Sequence, residues 1–327
     1  MRAIVYTKYG LPDVLQLKDV EKPTPKDNEV LVEIHAASVN DWDWGLLRGK
    51  PFMNRLFFGL LKPKYKILGC DIAGQVEAVG KNVKKFQPGD EVFGDISGCS
   101  WGGFAEYVCA RENALLLKPA SMTFEEAAAA PQAAVLALQG LRDKGKIQKG
   151  YHVLINGAGG GAGTFAVQIA KSFGAEVTGV DRTSKLDMMR SIGADQVIDY
   201  TQEDFIKIGH HYDLMLDFAA NHSIFNYKRL LSPKGTYVMV GGSTARILQA
   251  MFLGPLISIT GDKKMGLLAH KPNKDLAFMK ELFEAGKVVP VIDRVYPLSE
   301  VADALRYFGE GHHRGKIVIT VEHNNKT

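Results

Sequence analysis

VLINGAGGGAGTFAVQIAKSFGAEVTGVD, residues 153–181, decides the fold of this chain. Val153 to Asn156 is a short apolar run and reads as a buried strand. Gly157, Gly159, Gly160, Gly161 and Gly163 follow as a turn with almost no side chains. Ala162, Phe165, Ala166, Ile169, Ala170 and Phe173 then recur at helical spacing on one face. Gly174 ends that helix, and Glu176 to Val180 reads as a second strand. Strand, glycine turn, helix and strand make one βαβ unit. Without Cβ atoms the turn can bend sharply and let a ligand approach its backbone. The N–H groups that open the helix are unpaired and partly positive, which suits a pyrophosphate. Asp181 closes the second strand roughly 20 residues beyond the turn, where a ribose-binding acid is expected. The pattern points to a dinucleotide; the competing reading is a purely structural turn.

The remainder of the chain sets the context. A length of 327 residues accommodates two domains. Composition is that of an ordinary globular protein, and a formal charge of +4 gives no reason to propose nucleic acid. Cys70, Cys99 and Cys109 are odd in number and contain no CxxC, which fits a reducing compartment. MRAIVYTKYG at the start alternates like a strand and has no signal-like or transit-like character, so a cytoplasmic location is expected. No apolar run is long enough to predict a membrane span.

Residues 1–122 read as β-rich. Val30, Val32, Ile34 and Ala36 alternate with a face that includes Glu33 and His35, the pattern of a half-buried strand. Thr123 and Glu126 form a capping box ahead of an alanine-rich helix, and the domain boundary is expected there. Apolar strands at Gln196 to Ile198, Leu214 to Asp217 and Thr236 to Val240 alternate with helices, which predicts a parallel sheet covered on both faces. Past about residue 270 the pattern changes. Leu276, Met279, Leu282 and Phe283 mark an amphipathic helix, and VIDRVYPL and Lys316 to Val321 read as strands. This tail is expected to pack back on the first domain.

GCDIAGQVEAVGKNVKKFQPGDEVFG at 69–94, the GAGGGAG turn and the closing HRGKIVITV together resemble the medium-chain dehydrogenase/reductase family. Within it the chain is similar to the zinc-free NAD(P)H quinone oxidoreductases related to zeta-crystallin. The resemblance covers essentially the whole chain. It implies an α/β protein with two parts. A GroES-like β-rich catalytic domain would comprise residues 1–122 with 271–327 returning to it. A Rossmann doubly wound parallel-sheet domain would comprise residues 123–270. It also implies an oligomer, here expected as a homodimer.

Set against zinc-dependent relatives, the chain has Asn40 where they place a cysteine ligand. It has Gly69-Cys70-Asp71 where they carry glycine-histidine-glutamate. The helix from Phe124 to Leu141 offers no third ligand beyond its first turn, and one thiol cannot make a catalytic zinc site. No metal is therefore expected, and Cys70 reads as a small buried hydrophobe. Without a Lewis acid, hydride transfer suits an acceptor that is already electrophilic, a quinone or an α,β-unsaturated carbonyl. Asn40 is the expected catalytic donor, to a developing oxyanion or to the nicotinamide carboxamide, with a turn-satisfying role as the alternative. Asp43 matches a family position too, and the loop-anchoring and catalytic readings of it stand level. Val240, Gly241 and Gly242 are expected to border the nicotinamide. Lys185 and Tyr200 match positions that hold the adenosine 2′-phosphate, and Arg182 adds a cation, which favours NADPH. Asp181 argues for NADH, because a carboxylate there repels a phosphate. NADPH is the cofactor expected, provided Arg182 or Lys185 pairs with Asp181. Two other readings stay open: a zinc-free alcohol or aldehyde reductase, and a non-catalytic nucleotide-binding protein with a regulatory or structural role.

Leu46 to Leu68 mixes Phe52, Met53, Leu56, Phe57, Phe58, Leu60 and Leu61 with Arg48, Lys50, Arg55, Lys62, Lys64 and Lys66. The first expectation is a loop that packs its apolar residues on the domain. A substrate-pocket wall and a peripheral membrane contact follow. Ile247 to Ile259 reads as a subunit-contact or pocket-edge segment.

Overall fold

The structure, a computed structural model, describes residues 1–323. In chain order the strands and helices begin with β1 (Arg2–Val5), β2 (Gln16–Asp19), β3 (Glu29–Val39), α1 (Asp41–Arg48) and α2 (Met53–Phe58). There follow β4 (Asp71–Val79), β5 (Glu91–Asp95), β6 (Tyr107–Arg111), β7 (Leu116–Leu117), α3 (Phe124–Ala129) and α4 (Pro131–Leu138). The middle of the chain holds β8 (His152–Asn156), α5 (Gly161–Ser172), β9 (Glu176–Asp181), α6 (Leu186–Ser191) and β10 (Gln196–Asp199). It continues through β11 (Tyr212–Asp217), α7 (Ile224–Leu230), β12 (Leu231–Met239), α8 (Thr244–Thr260) and β13 (Lys264–Leu267). The last elements are α9 (Leu276–Glu284), β14 (Ile292–Pro297), α10 (Val301–Glu310) and β15 (Lys316–Thr320).

Two compact units emerge. The first comprises Met1–Gln132, Pro272–Glu284 and Ile292–Thr327, and the second Ala133–Lys271 with Ala285–Val291. The first unit is built on a seven-stranded sheet in the order β14-β15-β3-β4-β5-β7, with β6 also paired to β3. β15 runs antiparallel to β3, so that Ile317 faces Val39 and Thr320 faces Ala36. The chain's last strand therefore lies against one of its first. β3 departs from simple alternation. Leu31, Ala37 and Ser38 are buried along with Val30, Val32, Ile34 and Ala36, and Glu33 and His35 are only half-exposed. α3 covers that other face: the Phe124 ring stacks on His35 at 4.4 Å between centroids.

The same packing explains the unit boundary. Thr123 caps α3 through the Glu126 N–H, and the Glu126 carboxylate accepts from the Thr123 N–H at 2.9 Å. The capping box starts the helix, but the helix belongs to the first unit, which runs ten residues further than the capping signal suggests.

The second unit is a six-stranded parallel sheet ordered β10-β9-β8-β11-β12-β13. Strand order reverses between β8 and β11, which is the switch point where open α/β sheets bind ligands beyond the carboxyl ends of their strands. Its core includes Leu154, Val180, Met215, Tyr227 and Tyr237. Gln168 on α5 ties the returning segment 285–291 to this unit, accepting from the Val289 N–H and donating to its carbonyl, both at 2.9 Å.

Thr123→Ala removes one of the two reciprocal bonds that start α3. It is expected to lower the stability of the first unit by about 1 kcal/mol, read as an earlier urea transition of that unit.

Candidate functional site

In the second unit the glycine turn has the geometry a diphosphate needs. Gly157 takes a φ of +80°, and its N–H and that of Ala158 donate to the Val180 carbonyl, which fastens the turn to β9. At Gly163 a Cβ would lie 2.1 Å from the Gly157 carbonyl oxygen, so only glycine lets α5 approach the turn this closely. At Gly160, the N-cap of α5, a Cβ would meet only the Gly157 oxygen, at 3.4 Å. That leaves room at the start of the helix, which Gly161 opens, where backbone N–H groups suit an anion. The residues present fit the pyrophosphate of a dinucleotide.

Asp181 at the end of β9 braces this turn. Its Oδ2 accepts from the Gly159 N–H and its Oδ1 from the Arg182 N–H, both at 2.9 Å, and Lys185 Nζ stands 3.6 Å from Oδ1. The Arg182 guanidinium donates to the Tyr200 hydroxyl at 3.3 Å. Tyr200 is on the rim of a cavity of about 500 Å³ shared with Asn156, Asp204, Ala219, Asn221 and His222. The cavity lies by the carboxyl ends of β8 and β11, at the switch point. Asn156 Nδ2 donates to Asp217 Oδ1 at 2.8 Å, and the Tyr237 hydroxyl donates to Asp217 Oδ2 at 2.9 Å. Burial nevertheless pushes the Asp217 carboxyl up to about 6. Val240 and Gly241 follow β12, and their N–H groups donate to the Asp217 carbonyl. Gly242 bridges to Ala220.

In the first unit a polar cluster is buried, with Asn40 its most exposed member. Asn40 ends β3's extension and opens α1. Asp43, one turn on, accepts from the Asn40 N–H and, across to the next segment, from the Gly69 N–H, both at 2.9 Å. It is fully buried, and burial lifts its carboxyl up to about 7 against the pull of those two N–H groups. Asn40 Nδ2 donates to Asp71 Oδ2 at 3.0 Å and approaches Ser38 O and Cys70 Sγ. Asn40 Oδ1 accepts from the Lys316 ammonium at 2.5 Å. Lys316 Nζ also donates to the Val39 carbonyl at 3.2 Å and lies 3.7 Å from Asp71 Oδ2. The Gln132 N–H donates to Asp71 Oδ1 at 3.1 Å. Burial raises the Asp71 carboxyl, Lys316 opposes that, and the nearby Asp95 adds to it. Cys70 is wholly buried, and its thiol is raised by burial first and by the neighbouring carboxylates second.

Comparison with known proteins fits this geometry. Residues 26–120 match the family described as alcohol dehydrogenase GroES-like domain, and residues 192–319 that described as zinc-binding dehydrogenase. A chloroplast envelope quinone oxidoreductase homolog of Arabidopsis thaliana is 33% identical, covering 98% of each chain. A 2-methylene-furan-3-one reductase of Solanum lycopersicum is 34% identical over 98% of this chain and 79% of its own. Among solved structures, the quinone oxidoreductase from Coxiella burnetii superposes with a TM-score of 0.86 at 30% identity, covering 98% of this chain and 99% of that one. The chain belongs to the medium-chain dehydrogenase/reductase family. It is an oxidoreductase of that family.

Of the site residues expected from the sequence, Gly157, Gly160, Gly161, Gly163, Asp181, Arg182, Lys185 and Tyr200 gather at one end of this reductase's parallel sheet. Val240, Gly241 and Gly242 follow a strand of the same sheet. Asn40 and Asp43 meet in the buried cluster of the first unit. Lys316, Asp71, Asp95 and Gln132 escaped the sequence reading as site residues. The available signal was GCD at 69–71, with an acid set in an apolar strand, and a lysine at the head of KIVITV. Cys70 Sγ and one carboxylate oxygen each from Asp71 and Asp95 lie within 4.8 Å of one another, the one group among the described residues arranged to hold a cation. Lys316 already brings a positive charge to Asp71.

Because the folded-state pKa of Asp43 lies above that of the unfolded chain, its contribution to stability is full at acid pH. It fades as pH rises from about 4 through the folded value of about 7. Asp43→Asn turns an amide NH2 toward one of two N–H donors. It is expected to cost about 1–3 kcal/mol at pH 5, with the difference from wild type narrowing toward pH 8. Urea unfolding of both proteins at the two pH values checks size and sign.

Proposed function

We propose that this reductase carries hydride from NADPH to a quinone or an α,β-unsaturated carbonyl, without a metal ion. The observation that carries the reading is the Lys316–Asn40–Asp71 cluster. Where zinc-dependent relatives bear ligands, this chain has an amide, a buried thiol and a carboxylate tied to an internal ammonium. Such a cation offers no open coordination position to a substrate oxygen. The acceptor must then be electrophilic by its own chemistry. The names of relatives point the same way, among them an NADPH-dependent alkenal/one oxidoreductase of Arabidopsis thaliana at 32% identity.

When bound, the dinucleotide supplies hydride from its nicotinamide C4. The backbone from Gly157 to Gly163 holds the pyrophosphate. Asp181 is engaged with two N–H groups and Lys185, so its charge is largely answered within the protein, which supports NADPH over NADH. Arg182 and Tyr200 hold the 2′-phosphate, and Lys185 holds Asp181. Val240, Gly241 and Gly242 border the nicotinamide. Asn40 donates to the acceptor oxygen or to the carboxamide by exchanging one of its present bonds, while Asp43 fixes the backbone that presents it. The proton comes from water.

A homodimer in the cytoplasm is the expected setting. The outer face of α8, with Leu248, Met251, Phe252, Leu256 and Ile259 exposed at helical spacing, supports the first. Three cysteines with no disulfide among them support the second. No helix among the described residues is long and apolar enough to cross a membrane.

Arg182→Ala should weaken NADPH by roughly tenfold to a hundredfold and leave NADH unchanged, as expected for one charge-assisted bond to a phosphate. Asn40→Ala should lower kcat by about a hundredfold with nucleotide affinity intact. Steady-state kinetics on a quinone, an enone and an aldehyde, with fluorescence titration of nucleotide, measures both. Saturable NADPH binding with no oxidation by any quinone or enone would reject the proposal.

A further inference from the structure

The segment from Lys50 to Lys66 is built with its polarity reversed. On α2 the polar Asn54 and Arg55 are half-buried along with Phe58, while Met53, Leu56 and Phe57 are exposed. Exposure reaches 62% at Phe52, 70% at Phe57 and 86% at Leu61. The expectation that this loop packs its apolar residues on the domain is met at Phe58, Tyr65 and Ile67 and fails at Phe52, Met53, Leu56, Phe57, Leu60 and Leu61. The reason is local. Arg55 lies over the Tyr9 ring at 4.5 Å and donates to the Gly49 carbonyl at 3.2 Å. The Tyr9 hydroxyl donates to the carbonyls of Phe58 and Gly59. These bonds fix the polar side of α2 inward and hold the apolar side out. Scattered apolar residues on a surface are normal; a contiguous run on one short helix and its following turn is not.

Charge makes the run specific. Lys50, Lys62, Lys64 and Lys66 are all exposed around it, and Arg48 and Arg55 add two further cations. No Asp or Glu occurs from Trp44 to Cys70. Among the described residues, none of these six cations is within ion-pair distance of a carboxylate. A surface that pairs protruding aromatic and aliphatic side chains with an unneutralised ring of lysines is complementary to the anionic headgroup layer of a bilayer. There the apolar tips enter the acyl boundary and the lysines meet phosphates. We infer that the segment from Lys50 to Lys66 docks this reductase on anionic membrane surfaces as a peripheral protein.

Vesicle co-sedimentation tests this with the full chain. Wild-type protein is expected to bind phosphatidylcholine–phosphatidylglycerol vesicles at least tenfold more than pure phosphatidylcholine vesicles, and to release as salt is raised. Two variants separate the contributions: Phe57→Ser with Leu61→Ser for insertion, and Lys62→Glu with Lys64→Glu and Lys66→Glu for charge. Each should reduce binding at least tenfold while retaining the circular dichroism spectrum and the rate of NADPH oxidation. Binding indifferent to phosphatidylglycerol, or unchanged in both variants, would overturn the inference. So would dissociation of an oligomer by the serine pair in sedimentation equilibrium, which would give the patch to a second copy. A raised KM for the acceptor with vesicle binding unchanged would give it to the substrate site and overturn it equally.

Discussion

A buried ammonium holds the first unit together. Lys316 Nζ reaches the Val39 carbonyl, Asn40 Oδ1 and Asp71 Oδ2, so one cation joins the end of β3, the start of α1 and the start of β4. Lys316 and Asn40 are 276 residues apart in the chain. A carboxylate as buried as Asp71 would carry a heavy desolvation cost alone, and removing the partner of a buried pair typically costs about 3–5 kcal/mol. The sheet supplies the partner. β15 enters beside β3 with Ile317 opposite Val39, and that register brings the preceding residue to Asn40. The return of the C-terminal segment is thus an electrostatic necessity for the first unit as well as a strand pairing.

Asp43 and Asp181 solve one problem in the same way. Each is a buried acid whose two oxygens accept from two backbone N–H groups, Asn40 and Gly69 in one case and Gly159 and Arg182 in the other. Bonds of this kind freeze a turn at far lower entropic cost than a long side chain would. The carboxylate that a local reading assigns to a ribose is, in this conformation, part of the scaffold of the glycine turn. Its neighbour Lys185, nearly buried, is drawn into the same scaffold, which leaves the exposed Tyr200 on the rim of the cavity with the half-exposed Arg182 bonded to its hydroxyl.

What the sequence makes legible follows the range of the forces involved. The βαβ unit is written in local periods and in glycines such as Gly163, whose Cβ would meet Gly157 and Ala158, so β8, α5 and β9 appear close to their expected limits. β3 is harder to read, because α3 buries a face whose Glu33 and His35 look solvent-bound. Lys316 is harder still: at the head of a strand a lysine reads as solvated, and only a partner some 240 residues earlier in sequence makes it internal. At Leu46 to Leu68 the apolar content suggests core, yet the polar residues Asn54 and Arg55 make the inward bonds. Composition gives the amount of apolar surface there; the bonds of Arg55 and Tyr9 decide its direction.

The choice of lysine at residue 316 bears on the chemistry. An ammonium has three protons, and three acceptors surround it, from a backbone carbonyl, an amide and a carboxylate. Arginine would bring five donors in a rigid plane to a space with three acceptors, and a neutral side chain would leave Asp71 without its counter-charge. The lysine thus answers the charge of the cluster while giving two of its protons to the Val39 carbonyl and Asn40 Oδ1. A metal ion among the same donors would differ in one respect, since it can take a substrate oxygen as an added ligand and polarise it. An ammonium stabilises the site without doing so, which is why the proposed acceptors are ones that need no activation of their carbonyl.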